Sequence, residues 1–512
     1  LNCYEKAFLW VAFKRPLTLR PPRALREKMI FIFFFPCIRE KAGRASARNG
    51  GVRVNKQEVL KNLQAIAGDK NVLWKDSDLA VFEYDAGLDK QKPSLVVFSE
   101  TAEGVADVVR LLSQEGISYV ARGSGTNLSG GTIPLNGGVV IELSRMNKIL
   151  EIDLANERAL AEPGGYNVTL QNALAPLGYY YAPDPASQKV STMGGNFGEN
   201  AGGPHCLKYG VTSNHILGAE VVWPGGEKIW LGGKSVDPPG PDLLGLLVGS
   251  EGTLGIATKI LVRIMRSPER VVTMLAVFKS LEDAGQTVSD IISEGIIPAT
   301  LEIMDNMMIR AVEGSMHAGY PLDAEAVLII ELDGLSDGME EQARRILEIC
   351  QKNGVVSTRR AKDAAERADL WAGRRGAFGA VARLAPSYLV CDGTVPRTKL
   401  PAALSAVRKV GQKYNLSVGN VFHAGDGNLH PLILFDDRNP EVIEKVHKAG
   451  MEILKICVDL GGTISGEHGI GTEKLQGMPL IFQDADLGMM RNVKTAIDPK
   501  GVCNPGKVIP RA

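Results

Sequence analysis

The residue types best suited to catalysis are concentrated in two short segments near the carboxyl end of the 512-residue chain. His423 and His430 flank the turn-forming segment 425–428 (Gly-Asp-Gly-Asn), so we expect their rings at the two shoulders of a tight hairpin. Glu467 lies in a second glycine-rich segment and would complete a three-ligand set for zinc or a similar divalent ion. The adjacent His468 would then take a proton beside that ion. The spacing alone also fits a turn without an ion.

Two consecutive arginines, Arg374 and Arg375, follow Trp371 in a segment with helical spacing. A planar guanidinium binds a carboxylate through two parallel hydrogen bonds, which would make this pair a substrate clamp. Arginines on a helix are more often exposed surface residues, and the residues alone favour that second interpretation.

Three glycine-dense segments, each expected to form a loop, lie in the first half of the chain, at 122–131, 194–203 and 249–255. A turn needs one or two glycines, so this density indicates main chain that approaches a ligand closely. Leu128 stands where a dinucleotide-binding fingerprint requires glycine, and no Gly-Lys-Ser/Thr follows for a phosphate-binding P-loop. The hydroxyl and amide side chains of the first segment suit a pyrophosphate, but the spacing does not say which nucleotide carries it.

The first glycine segment follows a predicted strand–helix–strand unit. Strands are expected at 95–98 and 119–121, and Thr101 is placed to cap the helix between them, which stops at Gly116. The glycine segment therefore lies at the carboxyl end of a strand, where α/β sheets bind ligands. After about residue 266 strands alternate with amphipathic helices, which indicates a second, α+β domain.

The bulk composition limits the classes of partner. Lys+Arg and Asp+Glu both number 58, which gives no reason to expect nucleic acid. The seven cysteines form no cluster, which argues against a disulfide framework or an Fe–S cluster in this chain and favours a reducing compartment. Residues 1–53 are rich in Lys and Arg and poor in acids, so we interpret them as an atypical leader, either a targeting segment or a misassigned start.

Read together, these motifs resemble a known family. The three glycine segments, with Pro-Asp-Pro-Ala-Ser at 183–187 before the second, are similar to the flavin-binding domain of the vanillyl-alcohol oxidase/p-cresol methylhydroxylase type. With the segments around Arg374, His423 and Glu467 and with Asn-Pro-Gly-Lys at 504–507, the chain resembles the FAD-linked 2-hydroxy-acid oxidases and D-lactate dehydrogenases. Within that family it resembles the FAD-binding catalytic subunits of bacterial glycolate oxidases.

The resemblance implies an α+β fold in two domains. The expected division is a flavin domain at 54–265, a substrate or cap domain at 266–475 that carries the metal site, and a segment at 476–512 that returns to the flavin domain. The leader at 1–53 has no counterpart in the family. Noncovalent FAD is expected, because no histidine occurs at 122–131 to tether it.

The resemblance also implies which residues contact the cofactor. The expected FAD-binding residues lie in the three glycine segments, in the segment 183–187 and near the carboxyl terminus: Arg122, Gly123, Ser124, Gly125, Thr126, Asn127, Leu128, Ser129, Gly130, Pro183, Asp184, Ser187, Gly194, Gly195, Asn196, Asn200, Gly202, Gly203, Glu251, Gly252, Gly255, Ile256 and Asn504. Lys507 is expected near the flavin ring.

The implied reaction is oxidation of a short 2-hydroxy acid, glycolate to glyoxylate or D-lactate to pyruvate, with hydride transfer to the flavin. The resemblance assigns binding of the divalent metal to His423, His430 and Glu467. It assigns proton abstraction to His468 and binding of the substrate carboxylate to Arg374. Val390 stands where relatives that oxidise 2-hydroxyglutarate carry lysine, which favours a small monocarboxylate.

The resemblance implies electron transfer out of this chain, to companion flavin and iron–sulphur subunits or to a quinone-linked acceptor. The expected location is the cytoplasm, with at most peripheral association at the inner membrane. Two alternatives remain open on sequence: a D-lactate dehydrogenase that works alone, and a non-catalytic flavin-binding subunit. The second is disfavoured because such a subunit need not keep His423, His430, Glu467 and His468, and all four are present.

Overall fold

The computed structural model describes residues 56–235 and 239–511. The described residues belong to one compact unit, 54–512. The predicted leader at 1–53 lies outside the described residues. Within the described ranges, no helix combines the length and the hydropathy that a bilayer crossing requires.

The first part of the unit contains short helices between the strands of three sheets. In chain order its elements are α1 (Lys56–Ala67), β1 (Val72–Leu73), α2 (Asp76–Leu79), β2 (Leu95–Phe98), α3 (Ala102–Gln114), β3 (Tyr119–Arg122), β4 (Val139–Glu142), β5 (Ile149–Asp153), β6 (Arg158–Ala161), α4 (Asn167–Leu174), β7 (Tyr179–Tyr180), α5 (Met193–Glu199), α6 (Cys206–Tyr209), β8 (Ile216–Val222), β9 (Lys228–Gly232), α7 (Leu243–Leu247), β10 (Ile256–Arg263) and β11 (Met265–Arg266).

The predicted strand–helix–strand unit is confirmed. Thr101 caps α3 and accepts a hydrogen bond from the Gly104 N–H at 3.0 Å. The apolar face of α3, including Val105 and Leu112, is fully buried against the sheet β1-β2-β4-β3, in which β2, β4 and β3 are parallel. The first glycine segment starts at the end of β3. It therefore lies at the carboxyl end of a strand of this sheet, where it is expected.

A second, antiparallel sheet has the order β5-β6-β10-β8-β9. Its core includes Leu170 of α4 and Phe197 of α5, both buried against the sheet. The third glycine segment runs into β10, so the sheet fixes where that segment ends.

The second glycine segment is not the loop that its composition predicts. Residues 193–199 form helix α5, capped by Thr192, whose hydroxyl accepts the Gly195 N–H at 3.1 Å. A Cβ atom at Gly194 would lie 2.6 Å from Cβ of Pro163. The prediction of a loop is therefore wrong for these residues, because glycine here permits close packing of a helix.

The second part of the unit is built on one large sheet. Its elements are β12 (Arg270–Phe278), α8 (Leu281–Ser293), β13 (Thr300–Asp305), α9 (Asn306–Met316), β14 (Ala326–Gly334), α10 (Met339–Lys352), β15 (Ser357–Arg360), α11 (Ala364–Val381), β16 (Ser387–Val390), β17 (Gly393–Thr394), α12 (Leu400–Tyr414), β18 (Ser417–His423), β19 (Asn428–Leu429), β20 (Pro431–Phe435), α13 (Pro440–Asp459) and α14 (Asp484–Ile497). The main path of the sheet is β15-β12-β14-β13-β18-β19-β17, and β20 pairs with β18 and β16.

Both faces of this sheet are covered by helices. Met274 and Phe278 of β12 pack on one side against α8, α10 and α12, whereas Leu275 and Val277 pack on the other side against α9 and α11. This alternation follows from the two-residue period of a strand. Because α11 carries Arg374 and β18 ends at His423, the sheet places both residues near one edge.

The carboxyl-terminal residues meet the first sheet. The Asn504 N–H donates to the Tyr119 carbonyl of β3 at 2.7 Å. The mixed α+β architecture predicted for the chain is confirmed, and the boundary near residue 266 stays a prediction.

Candidate active site

A cavity of ≈ 360 Å³ connects the first glycine segment with the histidine cluster. One end, the glycine end, is lined by residues 123–128, by residues 184–188 and by the start of α5. The other end is lined by ionisable side chains from four separate parts of the fold: Arg374, Arg375, His423, His430, Glu467 and His468. Residues predicted independently to bind a cofactor and to perform chemistry therefore face one continuous space.

The glycine end of the cavity offers polar atoms to a ligand. Asn196 Nδ2 and Asp184 Oδ1 are buried without a hydrogen-bond partner among the described residues, and both residues line the cavity. A second cavity of ≈ 70 Å³ adjoins the first and shares Gly123 and Gly195 with it. Its walls include further predicted cofactor residues: Arg122, Gly194, Glu251, Gly252, Gly255 and Ile256. One unpaired donor, one unpaired acceptor and two adjoining cavities fit a dinucleotide cofactor such as FAD.

Contact with FAD stays a prediction for all of these residues, and six of the predicted set line neither cavity: Ser129, Gly130, Pro183, Asn200, Gly203 and Asn504. Two of them connect parts of the site. The Asn504 amide donates to the carbonyls of Gly131 (2.9 Å) and Glu251 (2.7 Å), which joins the first and third glycine segments. The Ser129 hydroxyl donates to the His468 carbonyl at 2.6 Å. The cofactor end is thereby joined directly to the loop that carries the candidate base.

The histidine end contains the predicted hairpin. His423 ends β18 and pairs with Asn428 of β19, and His430 follows β19 directly. The two ring centroids lie 5.1 Å apart. His423 Nε2 and His430 Nε2 lie 3.2 Å and 3.0 Å from the same oxygen, Glu467 Oε1. Two imidazole nitrogens and one carboxylate oxygen thus converge on one point, which fits a divalent ion with an open position for substrate.

Electrostatics within this group couple ion binding to proton release. Burial disfavours the charged His423 ring, but the adjacent Glu302 and Glu467 carboxylates outweigh that effect and raise the pKa of His423 well above its usual value. Burial likewise opposes ionisation of Glu467, and His423 reverses that effect and holds the pKa of Glu467 well below its usual range. An incoming cation would replace the His423 proton.

Glu302 is a candidate functional residue that the sequence analysis missed. It lies on β13, is almost completely buried, and accepts from His423 Nδ1 at 2.7 Å and from Arg374 Nε at 2.7 Å. Burial would raise the pKa of Glu302, but the His423 and Arg374 charges hold it below its usual value. The bond to Nδ1 leaves Nε2 of His423 directed at Glu467, the arrangement that orients a metal-binding imidazole. The available signal was an acid inside an apolar strand, between Leu301 and Ile303.

Arg374 and Arg375 of α11 differ in environment. Arg374 is 3% exposed, and its Nη2 atom lies 2.6 Å from Glu302 Oε2. Arg375 is exposed. The surface interpretation favoured by the residues alone is therefore wrong for Arg374, because the sheet buries one side of α11 against Glu302, and it holds for Arg375.

Asp392 organises the loop that carries Glu467 and His468. This buried carboxylate follows β16 and accepts from the backbone N–H groups of Gly466 (3.1 Å), Glu467 (3.2 Å) and His468 (2.9 Å). The buried Lys474 ammonium lies 2.9 Å from the same carboxylate and balances its charge. Burial lowers the pKa of Lys474, but Asp392 outweighs burial and raises that pKa above its usual value. The loop is therefore shaped by one ion pair before any ligand binds.

His468 has the properties of a general base. Burial lowers the pKa of His468 to about 4, so the ring is neutral at pH 7. Its Nδ1 atom is buried without a hydrogen-bond partner among the described residues, and the ring stacks on His430 with centroids 4.8 Å apart. A neutral imidazole with a free nitrogen at the cavity wall can accept a proton from a bound hydroxyl.

Comparison with known proteins places the chain in a family. Residues 93–232 match the family model of an FAD binding domain, and residues 267–508 match that of the C-terminal domain of FAD linked oxidases. The chain is 45% identical to the glycolate oxidase subunit GlcD of Escherichia coli K12, over 89% of this chain and 92% of that protein. It is 32% identical to the D-lactate dehydrogenase of Anaerostipes hadrus, over 88% of this chain and 97% of that enzyme.

The fold also matches solved structures. The structure of p-cresol methylhydroxylase with substrate bound superposes with a TM-score of 0.75 at 18% identity, covering 90% of this chain and 98% of that one. This likeness concerns the fold alone, and it confirms the flavin-domain architecture that the glycine segments implied. The chain therefore belongs to the FAD-linked oxidases, in the group that contains the glycolate oxidase subunit GlcD and D-lactate dehydrogenase, and it is an FAD-dependent oxidoreductase of that type.

Proposed function

We propose that this enzyme oxidises glycolate, D-lactate or both at the histidine end of the cavity, with a divalent ion held by His423, His430 and Glu467. The observation that carries the proposal is the continuity of the cavity. The same space is lined by the glycine cradle and by three convergent ligand atoms beside a neutral histidine. The names of the two relatives, one a glycolate oxidase subunit and one a D-lactate dehydrogenase, support both substrates.

Each bound group would supply one element of the chemistry. His423, His430 and Glu467 would hold a divalent ion, which would supply a lowered pKa of the substrate hydroxyl. The glycine cradle would hold FAD, which would supply the hydride acceptor. Glu302 holds His423 Nδ1, so that Nε2 is directed at Glu467 Oε1. His468 accepts the hydroxyl proton at a neutral ring nitrogen, and Arg374 orients the substrate carboxylate.

The proposed substrate is a small monocarboxylate. Val390, at the position where relatives that act on a dicarboxylate carry lysine, is apolar and buried. The second carboxylate of 2-hydroxyglutarate would therefore lack a cation there, and an unpaired charge in a largely enclosed site is costly.

We further propose that electrons pass from the flavin to companion flavin and iron–sulphur subunits or to a quinone-linked acceptor. The Escherichia coli relative is named as a subunit of glycolate oxidase, which supports a multi-subunit assembly. The proposed location is the cytoplasm, with peripheral association at the inner membrane when the complex is formed.

Anaerobic mixing of the FAD-loaded protein with candidate substrates tests the proposal. Flavin absorbance should bleach with glycolate and D-lactate, and much more slowly with L-lactate and D-2-hydroxyglutarate. Bleaching by D-lactate alone would select the stand-alone D-lactate dehydrogenase. Absence of bleaching with all four compounds would show that the chain is not a 2-hydroxy-acid oxidase, and would revive the non-catalytic flavin-binding subunit.

A further inference from the structure

The charges along the cavity leave one cation unbalanced. The acids that line it are Asp184, Glu199 and Glu467, and the arginines are Arg374 and Arg375. The charge of Arg374 is already balanced by Glu302 at 2.6 Å. Among the described residues Arg375 forms no ion pair and no hydrogen bond, so it is the free arginine of this space.

Arg375 is also held in place by a rigid support. Its guanidinium carbon lies 5.2 Å from the centroid of the Trp371 ring. That indole is buried, and its Nε1–H donates to Glu331 Oε2 at 2.8 Å. His205 also stacks on Trp371, and their ring centroids lie 5.9 Å apart. A guanidinium over a fixed aromatic ring loses less conformational entropy on binding an anion than a free side chain does.

The His205 ring that stacks on Trp371 is itself held by ionic contacts. His205 lies between two carboxylates, Asp184 at 2.9 Å and Glu331 at 3.4 Å. Burial disfavours the charged His205 ring, but Asp184 outweighs that effect and raises the pKa of His205 well above its usual value. A charged His205 therefore ties residues of the cofactor side to the strand that anchors Trp371.

We propose that Arg375 captures the carboxylate of the incoming 2-hydroxy acid at the rim of the cavity and delivers it to Arg374 and the metal ligands. The inference rests on the proposed function, because it concerns how that substrate enters. Asp184 and Glu467 give the cavity wall negative charge, and an exposed, unpaired guanidinium on the same wall attracts a small monocarboxylate. Because Arg375 is exposed, its attraction is screened by salt.

Stopped-flow reduction of the FAD-loaded enzyme by glycolate, at low and high ionic strength, tests the proposal. For Arg375→Gln we expect the second-order rate constant to fall about tenfold at low salt and to lose its salt dependence. The limiting rate should change far less. Arg367→Gln is the matched control, since Arg367 lies on the same helix, has no ion-pair partner among the described residues and does not line this cavity. Arg375→Lys should restore much of the salt dependence.

Three kinetic results would overturn the proposal: an unchanged glycolate dependence in Arg375→Gln, an equal loss in Arg367→Gln, or a loss confined to the limiting rate. Calorimetric binding of oxalate, an unreactive carboxylate, separates this failure from failure of the proposed function. Weaker oxalate binding to Arg375→Gln than to the unaltered protein supports anion capture even if no 2-hydroxy acid reduces the flavin. Equal binding to both proteins, or binding to neither, contradicts it.

Discussion

At one end of the cavity the protein presents main chain, and at the other it presents charged side chains. The cradle end is built from residues 123–128 and the first turn of α5. Gly125 is needed there because its φ is +65° and a Cβ would overlap the Arg122 guanidinium. The histidine end is built from ionisable groups, some of which are fixed by a second buried charge, as Glu302 fixes His423.

The difference separates binding from chemistry. A main-chain cradle binds the phosphates and ring of a cofactor whatever reaction follows. Side chains at the other end set the pKa values, the metal and the substrate, so a single change there should stop the reaction while FAD stays bound. Each prediction below tests whether the two ends respond separately.

Removal of the divalent ion should have the largest effect. A chelator such as dipicolinate should slow flavin reduction by glycolate about a thousandfold, since several kcal/mol of hydroxyl activation is lost. FAD should remain with the protein after gel filtration, and added Zn²⁺ should restore the rate. Loss of FAD together with the metal would show that the two ends do not respond separately.

Replacement of Glu302 should damage both stability and the metal site. Glu302→Gln leaves Arg374 buried without its carboxylate, which costs on the order of 3–5 kcal/mol. The unfolding midpoint in urea and the metal content per chain should both fall. The matched control is Asp305→Asn on the same strand, because Asp305 accepts from Asn420 and does not contact the histidines. That variant should be less stable and keep its metal.

Replacement of Asp392 should have an intermediate effect confined to the histidine end. Asp392→Asn removes the charge that pairs with Lys474 and weakens the acceptor of three loop N–H groups. We expect metal affinity to fall about 10–100-fold, measured by competition with a chromogenic chelator, with unchanged FAD content. Asp436→Asn, at a partly exposed acid after β20, should match the unaltered protein in both measurements. Equal metal affinity in the two variants would remove Asp392 from this role.

At the cradle end a single methyl group should weaken FAD binding only. Gly125→Ala adds a Cβ at positive φ against the Arg122 guanidinium, and the combined cost should be about 1–3 kcal/mol. Gly116→Ala has the same φ of +65° with no atom within 4 Å of the new Cβ, so it isolates the backbone cost. Fluorescence titration should show weaker FAD binding for Gly125→Ala alone, with metal affinity preserved.

Much of the cradle was predictable because its signals are local. The capped helix α3, the strand β3 and the glycine segment after it lie within about thirty residues, and each is visible in the sequence. The exception is α5, where glycine density predicted a loop. The Thr192 cap and the close approach of Pro163 make that segment helical, and neither contact can be seen from glycine spacing.

The histidine end was predictable in its ligand types and not in its supports. Turn chemistry between His423 and His430 predicted the hairpin correctly. Glu302 and Asp392 escaped notice because their partners are remote: Arg374 lies 72 positions from Glu302, and Lys474 lies 82 positions from Asp392. Such residues come together only when the sheet forms, so their spacing in the sequence does not indicate that they pair.

Replacement of His468 by alanine tests the central claim most directly. The backbone bonds of His468 to Asp392 and Ser129 do not involve its side chain, so the loop should keep its position. Anaerobic flavin reduction by glycolate or D-lactate should slow by about 10²–10⁴-fold, with FAD and metal content unchanged. A near-normal reduction rate, or loss of FAD with the ring, would contradict the separation of cofactor binding from chemistry.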